Sequence, residues 1–238
     1  MIHQVAFSAS NDEARPVLQG VSMSVEDTTM TLAATDGFRI SVRTASLTAP
    51  VNAPISAIIP GRALSELARV ATDGKDSIYM VMPPGRGQVV FHLNDIELVT
   101  QLIEGSFPDY NAIIPKSFKT ATIVSAAEFS KACKQAEIIA REGTNVVRLS
   151  IMPGGDEPGE VEISAQSEET GTSEVTLDAT VDGPALVIAF NVRFLREALD
   201  IIPTPNVLLE TNANNTPGTI RPGGSSEYLH VIMPMHRG

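Results

Sequence analysis

The stretch from Val21 to Ser41, VSMSVEDTTMTLAATDGFRIS, alternates apolar and polar residues and is interrupted at Asp27 and again at Asp36-Gly37. Alternation with period two puts successive side chains on opposite faces, so the stretch reads as antiparallel strands joined by turns. Asp36-Gly37 fits a tight turn, because glycine tolerates positive φ and an aspartate can bond its own backbone. Phe38 and Arg39 then leave the turn on opposite faces. A ring and a guanidinium at a hairpin tip call for an explanation beyond the turn itself.

The same patterning recurs outward from this stretch. QVVFHLNDIELVTQLI (88–103), EVTLDATVDG (174–183) and NVLLET (206–211) alternate between Asp, Asn, Gly and Pro punctuation, which indicates antiparallel sheet. Helix signals are fewer. GRALSELARVA (61–71) gathers Ala63, Leu64, Leu67, Ala68 and Val70 on or near one face. SAAEFSKACKQAEIIAREG (125–143) opens with a Ser-x-x-Glu capping pattern and stops at glycine. NVRFLREALDIIP (191–203) starts at an asparagine cap and ends before proline, and SASNDEARPVL (8–18) is a weaker fourth candidate. IIPGRALSELARV and AFNVRFLREALDI lie about 130 residues apart and each follows strands, so two like-built domains, 1–116 and 117–238, account for the chain economically. The expected fold class is α+β: two tandem domains, each with antiparallel sheets and two helices on one side.

Composition narrows the function. The chain has 238 residues, 43% of them hydrophobic, enough for a substantial core. It lacks an apolar run of the roughly 20 residues a membrane span needs and a basic-then-apolar leader, and so reads as soluble and unexported. Its one cysteine, Cys133, rules out an internal disulfide and suits a buried apolar role. A net charge of −11 with no tryptophan argues against tight binding to a bare duplex or a single-strand stacking platform.

Catalytic and metal signatures are missing. His3, His92, His230 and His236 are scattered without metal-ligand spacing, and there is no nucleophile elbow, phosphate-binding loop or dinucleotide fingerprint. No metal or cofactor is expected. Asp36, Glu104 and Asp109 lie in separate segments. What stands out instead is three apolar segments built around turns: ATDGFRIS (34–41), EGSFPDYNAIIP (104–115) and the C-terminal VIMPMHRG, in which Met233 and Met235 flank Pro234. Methionine is an adaptable residue of surfaces that accept peptides.

TLAATDGFRIS, LIEGSFPDY and YLHVIMPM, in this order and at these separations, resemble the bacterial sliding clamps, the β subunits of the DNA polymerase III holoenzyme. The resemblance spans essentially the whole chain and corresponds to the second and third of the family's three domains. It implies a non-catalytic processivity factor of the bacterial cytoplasm, classed with DNA-directed DNA polymerase only by association with the holoenzyme. In the family, two three-domain chains close into a ring around double-stranded DNA, helices inside and sheets outside. A two-domain chain is then expected to be a monomer or weak oligomer. A ring holds DNA by topology and needs only weak, sequence-blind phosphate contacts. That reconciles an acidic body with cations on the helix candidates: Arg15, Arg62, Arg69, Lys131, Lys134, Arg141, Arg193 and Arg196 are the expected DNA-facing residues.

The resemblance also implies a hydrophobic cleft that takes short Leu- and Phe-rich motifs from the polymerase III catalytic subunit, the clamp loader, other polymerases and repair proteins. Matched motif by motif, it assigns to that cleft Leu18, Thr35, Gly37, Phe38, Arg39, Ile40, Pro108, Ile113, Asn191, Phe194, Val231, Met233, Pro234 and Met235. Within it, Phe38 and Ile40 supply apolar contact and Arg39 bonds a peptide carbonyl or acidic side chain. The chain departs from the family pattern in carrying Phe38 where His is usual, and in ending His236-Arg237-Gly238. Two readings from other classes stay open: an α+β hydrolase using Asp36, Asp109 and a neighbouring base, and a plain structural module.

Overall fold

In the computed structural model, which describes residues 1–71, 77–155 and 157–235, the chain divides into two compact units, Met1–Pro108 and Asp109–Gly238. Each has its own hydrophobic core.

Unit 1 opens with a one-turn helix α1 (Ile2–Val5), which runs into a 3-10 turn at Ala6–Ser8; a second 3-10 turn covers Pro16–Gln19. Strands β1 (Gly20–Glu26), β2 (Thr29–Thr35), β3 (Arg39–Ser46) and β4 (Ile55–Pro60) form an antiparallel sheet in the order β4-β1-β2-β3. Asp27 turns the β1–β2 hairpin at φ 52. Helix α2 (Gly61–Val70) follows, and then a second sheet in the order β5-β6-β7, made of β5 (Tyr79–Val81), β6 (Gln88–Leu93) and β7 (Ile96–Gln101). Val21, Met23, Val25, Leu32 and Ile59 from the first sheet, Leu64 and Leu67 from α2, and Val89 and Phe91 from β6 share one core.

The helix expected over 8–18 is not formed. Ser10 and Asp12 instead turn the backbone on itself, with Asp12 N–H donating to Ser10 Oγ (3.0 Å) and Ala14 N–H donating to Asp12 Oδ1 (2.9 Å). Serine and aspartate side chains compete in this way with helical bonding, and Pro16 lacks the amide a helix would need.

Unit 2 is more fully built. β8 (Thr120–Ser125) leads directly into α3 (Ala126–Ala140). Then come β9 (Val146–Met152), β10 (Gly159–Ser167), β11 (Gly171–Asp182) and β12 (Leu186–Asn191), helix α4 (Val192–Leu199), and β13 (Asn206–Thr211), β14 (Gly218–Pro222) and β15 (Tyr228–Ile232). Within the unit the antiparallel order is β12-β9-β10-β11-β8-β13-β14-β15. The caps read from sequence form: Ser125 Oγ accepts from Glu128 N–H (3.4 Å) and Asn191 Oδ1 from Arg193 N–H (3.0 Å). Phe129, Cys133 and Leu195 from the helices meet Leu149, Ile163, Phe190 and Leu209 from the strands in the core. Burial pushes the Cys133 thiol well above its ordinary range, with the Glu137 and Asp200 carboxylates adding to the effect, so it stays an inert core side chain.

Candidate functional site

The turn between β2 and β3 is closed by its own side chains. Thr35 Oγ1 donates to Arg39 O (2.7 Å) and accepts from Gly37 N–H (3.1 Å). Asp36 Oδ1 accepts from the N–H groups of Phe38 (2.9 Å) and Arg39 (3.1 Å). Gly37 sits at φ +96, where a side chain would be strained. Every residue of Thr35-Asp36-Gly37 therefore has a geometric task.

Behind the turn, Arg39 is only 6% exposed. Its Nε pairs with Asp36 Oδ2 (3.0 Å), its Nη2 donates to Phe7 O (2.9 Å), and its guanidinium lies over the Phe7 ring, 5.1 Å from the centroid. A planar cation of this kind can serve all three partners at once. Arg15 adds a second tie, donating from Nη1 to Asp36 O (3.2 Å) while its Nε pairs with Asp12 Oδ2 (2.9 Å). Next to Ile40, which is buried, Ser41 exchanges a 2.8 Å hydrogen bond with Ser8. Arg39 and Ile40, expected to touch a ligand, are thus placed as supports of the turn. Phe7 and Ser8 were not singled out from sequence, since nothing in MIHQVAFSAS distinguishes them.

Phe38 is the residue this scaffold presents: 57% exposed on a turn fixed on all sides. Leu18 is half-buried in the Pro16–Gln19 turn, with its carbonyl accepting from Ser10 N–H (2.8 Å), and Pro108 is exposed. A separate groove of about 840 Å³, lined by Phe7, Ser10, Gln19, Arg62 and Glu66, includes neither Phe38 nor Leu18.

In unit 2, Ile113 is 42% exposed just after a 3-10 turn capped by Asp109, whose carboxylate accepts from Asn111 N–H (3.2 Å). Asn191 caps α4, and Phe194 packs half-buried against the core. Val231 is fully buried, Met233 is exposed, and Pro234 and Met235 are half-buried. Met235 N–H donates to Ala189 O (2.8 Å), so the chain beyond β15 is fastened to the edge of β12. His236, Arg237 and Gly238 lie outside the described residues.

The helix cations are mostly neutralised by near neighbours. Arg69 pairs with Glu66 (2.8 Å), Arg193 with Glu197 (2.7 Å), Lys134 with Asp200 (3.0 Å), and Arg196 with both Glu137 (2.8 Å) and Asp200 (3.4 Å). Two of these pairs, Lys134–Asp200 and Arg196–Glu137, join α3 to α4. Of the eight cations expected to face DNA, Arg62, Lys131 and Arg141 are exposed and without an ion pair. No group of three or more His, Cys, Asp or Glu among the described residues could hold a metal ion. Asp36 is committed to the turn and Asp109 to a helical cap, leaving the hydrolase reading without support.

The profile described as DNA polymerase III beta subunit, central domain, matches residues 1–109, and that described as its C-terminal domain matches residues 111–236. The chain belongs to the DNA polymerase III β subunit family. Beta sliding clamps from Bacillus subtilis and Staphylococcus aureus are 31% and 32% identical to it over 237 residues, covering 99% of this chain and 61% of theirs. The chain thus spans about three fifths of the length of these relatives. The crystal structure of the DNA polymerase sliding clamp from Bacillus subtilis superimposes with a TM-score of 0.93, covering 100% of this chain and 61% of that one. A DNA polymerase III β subunit from Thermotoga maritima gives 0.89 at 26% identity, covering 100% of this chain and 62% of that one. The tandem clamp domains expected from sequence are the fold observed.

Proposed function

We propose that the chain is a non-catalytic docking and DNA-tracking part of a replicative sliding clamp, which captures polymerase, clamp-loader and repair proteins through short Leu- and Phe-rich peptides. The observation that carries the reading is Phe38: a large apolar ring held in water by a turn whose Thr35 and Asp36 side chains are committed to its own backbone. An exposed ring on a rigid support binds with little ordering cost. Leu18 and Pro108 in unit 1, and Ile113, Phe194, Met233 and Pro234 in unit 2, supply further apolar surface. Thr35, Gly37, Arg39 and Ile40 set the pose of Phe38. Asn191, Val231 and Met235 hold the backbone from which their neighbours project.

For the DNA side, Arg62, Lys131 and Arg141 make the phosphate contacts, and the paired cations contribute weakly. Few contacts of this kind suit sliding, since each phosphate neutralised adds affinity and salt dependence.

The test is fluorescence anisotropy with a labelled peptide carrying Gln-Leu-x-Leu-Phe. Saturable micromolar binding is expected. Phe38→Glu should weaken it by about 10- to 100-fold, the loss of one apolar anchor of roughly 1.5–3 kcal/mol, and Met233→Glu should weaken it comparably. A folded wild-type chain that fails to bind the peptide overturns the reading.

A further inference from the structure

The turn that carries Phe38 contains a chemically reactive pair. Asp-Gly occurs three times in the chain, at 36–37, 73–74 and 182–183, and the tetrapeptide ATDG occurs twice, at 34–37 and 71–74. In such a pair the glycine amide nitrogen can attack the aspartyl Cγ, because glycine has no side chain to obstruct the approach. The N–Cγ bond forms, the amide gives up its proton and the carboxyl its hydroxyl, and the two leave as water from a cyclic imide. Water then opens the imide at either carbonyl. Opening at the former main-chain carbonyl yields isoaspartate: the chain runs through Cβ, one carbon longer, and the free carboxylate sits on Cα. Water is the only other reactant.

At Asp36-Gly37 each group that this reaction must remove is engaged in a hydrogen bond. The Gly37 amide proton is donated to Thr35 Oγ1 (3.1 Å), and that hydroxyl is itself fixed by donating to Arg39 O (2.7 Å). One carboxylate oxygen has to depart; Oδ1 accepts from the N–H groups of Phe38 and Arg39, and Oδ2 from Arg39 Nε. Asp36 O, at the other end of the same peptide unit, accepts from Arg15 Nη1 (3.2 Å), so rotation of that unit is resisted at both ends. Substitution offers the turn no escape, since φ +96 calls for glycine at 37 and the Asp36 carboxylate closes the turn. Gly183 has a similar requirement at φ +119, yet the Asp182 side chain is exposed and makes no hydrogen bond or ion pair among the described residues. Asp73-Gly74 lies outside the described residues.

We propose that Asp36-Gly37 is a modification site, a latent isoaspartate held back by Thr35, Arg39 and Arg15, whose formation switches off the docking turn. Cyclisation is open only to molecules in which the turn has come undone, so its rate follows the population of that open state. Conversion lengthens the chain between Thr35 and Gly37 by one carbon and moves the carboxylate away from the Phe38 and Arg39 amides it now serves. The adjoining Thr35↔Ile40 pair of the β2–β3 ladder is disturbed with it. Phe38 then loses the support that fixes its pose. This last consequence rests on the docking function proposed above; the protection of the pair does not.

The full chain, kept in warm neutral buffer for weeks and then digested, tests this by peptide mapping, where isoaspartate separates from aspartate at unchanged mass. In guanidinium chloride Asp36 and Asp73 share the ATDG context and should convert at equal rates. In the folded chain Asp36 should convert roughly tenfold more slowly than when unfolded, and more slowly than Asp182. Thr35→Val, which keeps the shape and removes the hydroxyl, should return most of that rate to Asp36 and leave Asp182 unchanged, while Thr35→Ser should restore the protection. Should Thr35→Val unfold unit 1, Arg15→Ala, a change at an exposed side chain, must still raise the Asp36 rate. The converted fraction, isolated by ion exchange, should bind the Gln-Leu-x-Leu-Phe peptide roughly tenfold more weakly than the unconverted chain. Four results overturn the proposal: equal Asp36 rates in the folded and unfolded chain, an Asp182 rate as low as that of Asp36, a folded Thr35→Val variant with the wild-type rate, or full peptide affinity in the converted fraction. A fresh wild type that binds no peptide strikes the docking reading alone, and the conversion rates still decide whether the pair is protected.

Discussion

Unit 1 and unit 2 repeat the same strand orders and differ in the helices packed on them. α3 runs for 15 residues and is bonded through side chains to α4, whereas its counterpart α1 has four residues and gives way to turns. The exposed Phe38 stands in unit 1. The turn that carries it combines local polar bonding around Asp36 and Arg39 with buried strand ends on both sides. The turn thus closes its own hydrogen bonds around the exposed ring.

The sharpest way to break this comparison is to damage unit 2. Phe129→Ala removes a fully buried ring from the centre of the unit 2 core and should cost about 3–5 kcal/mol. In the wild type, denaturant should open unit 1 first; in the variant the order should approach or cross over, as read by hydrogen exchange in β2 against β10. Cys133 provides an independent probe. Its buried thiol should react with a disulfide reagent only when unit 2 opens, and sooner in the variant.

Arg39 tests the local bonding. Arg39→Ala removes the guanidinium that donates to Asp36 Oδ2 and to the Phe7 carbonyl and should destabilise unit 1 by about 2–4 kcal/mol. Peptide affinity should fall with it, because Phe38 loses its support. Arg39→Lys should restore little, since an ammonium cannot serve carboxylate, carbonyl and ring in one plane. An alanine variant with unchanged exchange rates at the turn would show that packing alone holds Phe38.

The helix counterparts differ more modestly. α4 is capped by the Asn191 side chain, whereas α2 follows Pro60 and has no side-chain cap. Asn191→Ala should cost about 1 kcal/mol, measured by urea titration of unit 2. A loss near zero would mean that β12 alone fixes the start of α4.

These differences also mark what was legible in the sequence. Period-two runs located the strands, and Ser125 and Asn191 marked real helix starts, because those signals are local. The Asp36-Gly37 turn was legible for the same reason. The Phe7–Arg39 stack was not, since it joins residues far apart with no shared motif. Nor could spacing distinguish Arg62, which has no ion pair, from Lys134, whose partner Asp200 stands just past the end of α4. The repeat was visible as similarity between α2 and α4. Only the strand registers turned it into a residue-by-residue match.

The smallest expected effect lies in the 8–18 segment, where unit 1 has turns in place of a helix. Asp12 is held below its ordinary value of 3.8, first by the Ala14 N–H and then by Arg15. A carboxylate with a depressed folded pKa adds stability that is fully present well above 3.8 and is lost as pH falls through the depressed value. Asp12→Asn can keep the bond to Ala14 but gives up the charge that orients Arg15 toward the Asp36 carbonyl. The wild type should therefore melt slightly higher than the variant near neutral pH, and the gap should close as pH falls through the depressed value, below which both side chains are neutral. The site is exposed, so added salt should shrink the gap as well. A gap that persists at low pH would assign the difference to the shape of the turn, and Arg15 would then be no more than a bystander to the Phe38 hairpin.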